Sequence, residues 1–151
     1  MQEDRKLGYF VGKWAHEGEI KASSFGPAGK FTYTERCDWF AGRHALVCRS
    51  KGKVPEGRMT GLSLISWNAA EKAYAYFEIN STGEVIYSRG TSRGATWTWK
   101  NAGKRLLNGK PVRTRMTVKQ VSRNLATYKL ELSASGRPMI LVMQGRQKRV
   151  G

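Results

Sequence analysis

Apolar and polar residues alternate with a period of two through most of this chain, and this pattern limits what it can fold into. In the segment 14–21, Trp14 and His16 share one face, whereas the other face is mostly charged. The segments 112–119 and 126–133 alternate in the same way. Successive side chains of a β-strand point to opposite faces, so the pattern predicts strands with one buried and one solvated face.

Turn-forming residues divide the alternating segments into about ten short strands, a spacing typical of antiparallel sandwiches and barrels. The separators include "NAAE", "STG", "RG", "NAGKRLLNG", "SRN" and "ASGR". A closed barrel is favoured because closure leaves no exposed sheet edge. The first segment, "QEDRKLGYF", has helical spacing of its apolar residues. The sequence therefore predicts one all-β domain over residues 1–151, an antiparallel up-and-down β-barrel of about ten strands with a short N-terminal helical turn.

Positive charge dominates the composition. The chain of 151 residues has 27 Lys and Arg against 11 Asp and Glu, which gives a net charge of +16. Much of this charge falls on the polar faces of the predicted strands, so we expect it outside the barrel. Such a surface is either simply solvated or attracts anionic partners, of which nucleic acid and anionic lipid are the two candidates. No apolar run approaches the roughly 18 to 20 residues needed to span a bilayer.

Four stretches of the chain carry a resemblance to a known family. They are "LGYFVGKW", "CDWFAGRHALVCRSKG", "GLSLISWNAAEKAYAYFEINSTGE" and "GTSRGATWTWKN". They resemble a bacterial family of uncharacterised lipocalin-like domains, and "GKW" is similar to the Gly-x-Trp signature of the lipocalin and calycin superfamily. The resemblance extends from about Leu7 to Gly145. It implies a calycin-type β-barrel and brings no settled activity with it.

The two cysteines are predicted to face each other across a hairpin. A turn centred between Gly42 and Arg43 pairs residues whose numbers sum to 85, as those of Cys37 and Cys48 do. Directly opposed Cβ atoms on antiparallel strands lie close to the separation that a disulfide requires. The sequence leaves open a disulfide, which needs an oxidising compartment, and two buried thiols that pack as small hydrophobic groups.

The N-terminal residues bear on the compartment. They do not form a signal peptide, but "MQEDRKL" suits a mature N-terminus after signal removal, with Met1 added for expression. We therefore expect a periplasmic or secreted protein, and the cytoplasm is the alternative.

His16 is the first candidate site residue, because it shares the predicted inner face with Trp14. An interior histidine can hydrogen-bond a ligand or exchange a proton with it near neutral pH. The alternative is a core histidine that is bonded to a backbone or tyrosine group. The second histidine, His44, falls in the hairpin turn and is expected to be exposed.

The segment "AYAYFEIN" supplies the next candidates. Tyr76 and Glu78 share one face of the predicted strand, whereas Phe77 and Ile79 share the other. If the polar face points inward, Tyr76 and Glu78 supply the few convergent polar groups of a binding cavity. If it points outward, Glu78 is a solvated surface charge.

Tryptophans and two arginines complete the candidates. The tryptophans that can line an aromatic pocket, or simply pack the core, are Trp14, Trp39, Trp97 and Trp99. Arg89 and Arg93 flank "GTSRG" and either meet an anion at the barrel mouth or are solvated.

Three functional hypotheses follow. The first is a barrel that binds a small hydrophobic or amphipathic ligand, with an anionic group permitted by the basic composition. The second is a cofactor-free isomerase, lyase or cyclase that uses His16, Tyr76 and Glu78 as acid and base. The third is a binder of nucleic acid or anionic lipid through the basic exterior. Whether the protein is an enzyme is left open.

Cofactors and oligomeric state complete the expectations. The chain has no phosphate-cradling Gly-rich loop before a helix and no Gly-x-Ser-x-Gly elbow. Two cysteines and two dispersed histidines do not make a recognisable metal site. We therefore expect no cofactor and no metal, and a monomer or a homodimer.

Overall fold

The computed structural model describes residues 2–151, and these residues form an antiparallel β-barrel with a short helical segment in front of it. Helix α1 spans Gln2–Lys6 and continues into a 3-10 turn over Leu7–Phe10. The strands are β1 Gly12–Ile20, β2 Gly29–Trp39, β3 Ala45–Val54, β4 Gly57–Asn68, β5 Ala73–Asn80, β6 Val85–Arg93, β7 Thr96–Asn101, β8 Arg105–Leu107, β9 Lys110–Ser122, β10 Leu125–Ala134 and β11 Ile140–Arg149.

Ten of these strands close into the barrel. Neighbours in sequence pair in turn from β1 to β7, then β7 pairs with β9, and β9, β10 and β11 follow. Pairing of β11 with β1 completes the circle. The predicted all-β, up-and-down barrel of ten strands with an N-terminal helical turn is therefore confirmed.

Strand β8 is a correction to the sequence analysis, which assigned "NAGKRLLNG" to a turn. Arg105–Leu107 forms a three-residue strand that pairs with the start of β9. Asn108 and Gly109 have positive φ values of 51° and 76° and make a tight turn between the two strands. Three residues are too few for periodicity to reveal a strand, so only the turn was visible in the sequence.

The helical segment covers the end of the barrel at which β1 begins. Leu7 is fully buried, and the ring of Phe10 lies 5.2 Å from that of Trp97. The indole N–H of Trp14 donates to the backbone carbonyl of Phe10 at 2.9 Å. The hydroxyl of Tyr74 donates to the backbone carbonyl of Glu3 at 2.9 Å. Burial of this apolar segment against the aromatic core closes this end, which we call the closed end.

The hairpin between β2 and β3 has the predicted register, with Cys37 opposite Cys48. The two residues form a disulfide with Cα atoms 4.1 Å apart, and each is 1% exposed. Gly42 takes a φ of 90° in the intervening turn, a conformation that glycine adopts without strain.

Loss of this disulfide is expected to destabilise the barrel. Replacing Cys37 and Cys48 together by Ala should lower the free energy of unfolding by about 2–4 kcal/mol, because the crosslink no longer restricts the unfolded chain. Urea unfolding of the variant measures the change, and wild type unfolded with a reductant present should fall to the same level. An unchanged midpoint in both experiments would contradict the disulfide.

Candidate functional site

The middle of the barrel holds a group of polar side chains that face its interior. They come from β1, β2, β4, β5 and β10, and alternation along each strand turns them inward beside the apolar core. We call them the interior polar cluster; its members are His16, Tyr33, Glu35, Ser63, Tyr76, Glu78 and Tyr128.

His16 connects β1 to the strands on both of its sides. Its Nε2 lies 3.1 Å from Oε1 of Glu35, and its Nδ1 lies 3.1 Å from the hydroxyl of Tyr128. A carboxylate can only accept, so Nε2–H donates to Glu35 and Nδ1 accepts from Tyr128. The ring also stacks on Tyr33, with centroids 4.2 Å apart. His16 is therefore buried and held in one tautomer.

The hydroxyls of Tyr33 and Tyr128 extend this network. Burial raises the pKa of Tyr33 well above its ordinary range, and a hydrogen bond toward Tyr128 raises it further. Burial likewise raises the pKa of Tyr128, and the same hydrogen bond lowers it in part, as expected for the accepting group. Hydrogen bonds of defined geometry run from Tyr128 through His16 to Glu35.

Glu78 forms a second polar centre on β5. Its carboxylate accepts from the hydroxyl of Tyr76 at 2.5 Å and from the amide of Asn80 at 3.1 Å. Burial raises the pKa of the Glu78 carboxyl, and these two hydrogen bonds lower it in part. The structure therefore selects the inward orientation of this strand, and the surface alternative for Glu78 is wrong.

Glu35 and Glu78 both occupy inward-facing positions of their strands. Burial is the largest cause of the raised pKa of Glu78, and the charges of Glu84 and Glu35 add to it; the charge of Glu35 also adds to the rise in the pKa of Tyr76. Tyr76 and Glu78 were candidates from the sequence with their orientation left open, whereas Glu35 was not a candidate, although it lies two residues before Cys37 on the same face of its strand.

Arg149 and Arg105 point inward but contact groups away from the interior polar cluster. Arg149 lies over the ring of Trp14 at 4.3 Å, at the closed end. Arg105 donates to Glu84 at 3.0 Å, on the short strand β8. The middle of the barrel is therefore rich in carboxylate and hydroxyl oxygens, inside a chain whose net charge is +16.

Several apolar and aromatic residues on inward-facing positions are only partly buried and pack against the core. They are Ile20, Tyr33, Val54, Tyr76, Met116 and Met143. Two concavities, of about 700 and 660 Å³, are open grooves lined largely by residues of the outer face of the sheet.

The tryptophans divide between the core and the cluster. Trp14 and Trp97 are fully buried at the closed end, and Trp39 packs against the same core. Trp99 lies 5.7 Å from the ring of Tyr76 and so borders the polar cluster. Gly90 makes room for it, since a Cβ there would lie 2.4 Å from the indole.

The remaining candidates lie outside the barrel interior. Arg89 is on the outer face and donates to Glu71 at 2.5 Å, and Arg93 is exposed at the end of its strand. His44 is exposed as expected, and its Nδ1 lies 2.9 Å from Asp4, which ties the hairpin to α1.

A metal has few ligands available. Ligand atoms of Glu35, Cys37 and Cys48 lie within 4.8 Å of one another. The disulfide occupies both sulfurs, so only the carboxylate of Glu35 can coordinate an ion in this state.

Sequence comparison assigns the chain to a family. Residues 1–149 match the family described as "Protein of unknown function (DUF1579)", and the chain belongs to it. The expected membership of a family without a settled activity is thereby confirmed, and a bacterial origin stays a prediction. No curated protein matches the chain in sequence.

Solved structures of similar fold share little sequence identity with this chain. Rv2717c from M. tuberculosis has a TM-score of 0.69 at 12% identity, over 97% of this chain and 96% of that one. The S-type phycobiliprotein lyase CPES from Guillardia theta has a TM-score of 0.69 at 8% identity, over 100% and 94%. EF1p2_mFAP2b bound to DFHBI has a TM-score of 0.52 at 7% identity, over 97% and 98%. These likenesses concern the barrel fold alone.

Ionisation of Glu78 is expected to oppose folding. Because its pKa is raised from the value of 4.5, the folded protein binds a proton more readily than the unfolded chain. The free energy of unfolding therefore falls as the pH rises from that value through the raised pKa. Glu78→Gln should stabilise the protein at neutral pH, and this advantage should shrink in acid, as measured by urea unfolding across a pH series.

Glu131→Gln is the matched control. A hydrogen bond from Arg115 lowers the pKa of Glu131, so its ionised form stabilises the fold. This variant should be less stable than wild type at neutral pH, with a loss that disappears in acid. The same sign of change for both variants would contradict the inward placement of Glu78.

Proposed function

We propose that the protein binds a small amphipathic molecule inside the barrel. Its polar end would lie at the interior polar cluster, and its apolar body would contact Trp99 and Met116. The observation that carries this proposal is that Glu35 and Glu78 lie on inward-facing positions among aromatic and apolar residues that are only partly buried. Each carboxylate has a partner within the protein, and a carboxylate has further lone pairs with which it can accept from a ligand.

The chemistry of the cluster narrows the class of ligand. An anionic head group would lie beside Glu35 and Glu78, and repulsion would weaken its binding. A protonated amine, or several hydroxyl or N–H groups, would instead donate to these carboxylates. We therefore favour a ligand rich in hydrogen-bond donors over the anionic ligand that the basic composition alone permits.

The structural neighbours support small-molecule binding as a use of this kind of barrel. One of them holds DFHBI, and another is a phycobiliprotein lyase. Barrels of this size are wide enough to hold one small ligand in addition to their packed core. The identity of the ligand comes from neither neighbour, because function depends on the side chains in the site rather than on the fold.

Two matched amphiphiles test this proposal. Decylammonium and decanoate have similar apolar chains and opposite charges, and tryptophan fluorescence reports binding near Trp99. We expect decylammonium to bind about tenfold more tightly than decanoate, the effect of one charge-assisted hydrogen bond. Glu78→Gln should remove most of this preference.

The substitution separates interior from exterior binding. If decanoate binds to surface cations, its affinity should not change with Glu78→Gln. The control Glu131→Gln should leave the preference for decylammonium unchanged. Stronger binding of decanoate, or a preference for decylammonium that survives Glu78→Gln, would overturn the proposal.

Acid–base catalysis inside the barrel is a second candidate function. The hydrogen bonds that join Tyr128, His16 and Glu35 favour it, because such a chain can relay a proton through His16. Glu78, whose pKa is raised by burial, is a stronger base than an ordinary carboxylate. In a carbon-acid reaction, Glu78 would take the proton from carbon, and the bonding electrons would pass to an adjacent acceptor group.

Phenylnitromethane is a suitable probe of this chemistry, since loss of its C–H proton gives a nitronate that absorbs ultraviolet light. We expect wild type to accelerate this deprotonation above the raised pKa of Glu78, and Glu78→Gln to be slower by at least about tenfold. Equal rates for wild type, Glu78→Gln and Glu131→Gln would overturn this second candidate.

A further inference from the structure

The outer face of β4, β5 and β6 carries a continuous apolar surface. Alternation that turns Glu78 inward turns Phe77 and Ile79 outward on the same strand, where they are 42% and 45% exposed. We call this surface the outer apolar patch; its members are Leu62, Leu64, Phe77, Ile79, Val85 and Tyr87.

Strand register makes these residues direct neighbours. Phe77 lies between Leu64 on one side and Tyr87 on the other, with the rings of Phe77 and Tyr87 6.4 Å apart. In the same way Ile79 lies between Leu62 and Val85. A contiguous apolar surface of this kind on a sheet face marks an interaction site rather than scattered exposed residues.

Cations of β3 border the patch, and Lys13 of β1 lies further out on the same side. Arg49 pairs in register with Leu62, and Lys51 with the next outward residue of β4, Thr60. Together with Lys13 they line an open groove of about 660 Å³ that reaches Leu62 and Ile79. Lys13, Arg49 and Lys51 have no ion-pair partner among residues 2–151.

Basic residues also lie on the opposite side of the patch. Arg89 follows Tyr87 on the outer face of β6 and is opposite Lys100 of β7. The apolar centre thus has positive charge on both sides. The charge of Arg89 is partly met by Glu71, whereas Lys100 has no ion pair within the described chain.

The far side of the barrel, formed by β9, β10, β11 and β1, has a different outer groove. Its outer groove is lined by Glu17 and Glu19 as well as by basic residues. There Arg146 pairs with Glu17, and Lys129 lies 4.0 Å from Glu131. The far side also has exposed cations, among them Lys119 and Lys148, but the continuous six-residue apolar surface lies on the face that includes β4, β5 and β6.

We propose that this face binds the surface of an anionic lipid bilayer. A leaflet supplies both complementary partners at once, since phosphates can meet the cations while the tips of Phe77, Ile79 and Val85 enter the acyl boundary. Tyr87 has the amphipathic ring that is favoured at this interface. A second copy of this chain is a poor partner, because each copy has a net charge of +16.

We expect the protein to attach to the membrane surface as a peripheral protein. The described residues include no helix long and apolar enough to cross a membrane. Cations near an anionic surface each add to binding, and this contribution is screened by salt. Glu35 also lines the groove, but the cations and apolar side chains that would meet the lipid are on the outer face, so this proposal does not rest on the interior ligand.

Vesicle co-sedimentation of the full chain tests the proposal. Vesicles of equal parts phosphatidylglycerol and phosphatidylcholine should bind the protein, and vesicles of phosphatidylcholine alone should not. Arg49→Ser with Lys51→Ser should weaken binding about tenfold or more. Phe77→Thr with Ile79→Thr should weaken it by a similar factor, because less apolar area enters the interface.

Matched variants on the far side are the controls. Lys119→Ser with Lys148→Ser removes the same charge from two exposed positions, and Val121→Thr removes an exposed apolar group; both should leave binding within about twofold. Far-ultraviolet circular dichroism checks that every variant is folded.

Three results would overturn the proposal. They are failure to bind the anionic vesicles, an equal loss of binding in the Lys119 and Lys148 variant, and binding that is unchanged by the substitutions of Phe77 and Ile79. A single-stranded nucleic acid that binds this face while the vesicles do not would assign the face to a soluble polyanion instead.

Discussion

The hydrogen bond between His16 and Glu35 is the interaction on which the interior of this barrel depends. At 3.1 Å it joins β1 to β2 and fixes which nitrogen of His16 carries the proton. That choice makes Nδ1 an acceptor, so the hydroxyl of Tyr128 donates to it and can accept from Tyr33. One carboxylate thereby orders a polar network that spans the barrel.

Strand β5 shows how this interior and the outer surface are coupled. Its register places Glu78 inside and Phe77 outside, and both placements cost stability in an isolated barrel. A shift of one residue would reverse them, but the pairing with β4 and β6 fixes the register. We propose that each placement serves a function. The inward Glu78 helps to recognise a small molecule, and the outward Phe77 helps to recognise a lipid surface.

Period-two alternation with turn-forming separators predicted the barrel, and a turn centred between Gly42 and Arg43 predicted the pairing of Cys37 with Cys48. Alternation could not orient β5, because one of its faces is apolar and the other combines tyrosine with a carboxylate. Periodicity identifies the two faces of a strand, whereas the three-dimensional closure of the sheet decides which one is inside. The meeting of Glu35 with Glu78 was hidden for the same reason, since it joins side chains of strands that are not neighbours.

A crystal structure of the protein with decylammonium would locate the head group relative to the interior polar cluster. We expect the ammonium nitrogen within hydrogen-bond distance of Glu78 or Glu35, about 2.7–3.2 Å, with the alkyl chain beside Trp99. An interior solidly filled by side chains, or a decylammonium molecule found only on the outside of the sheet, would contradict this expectation.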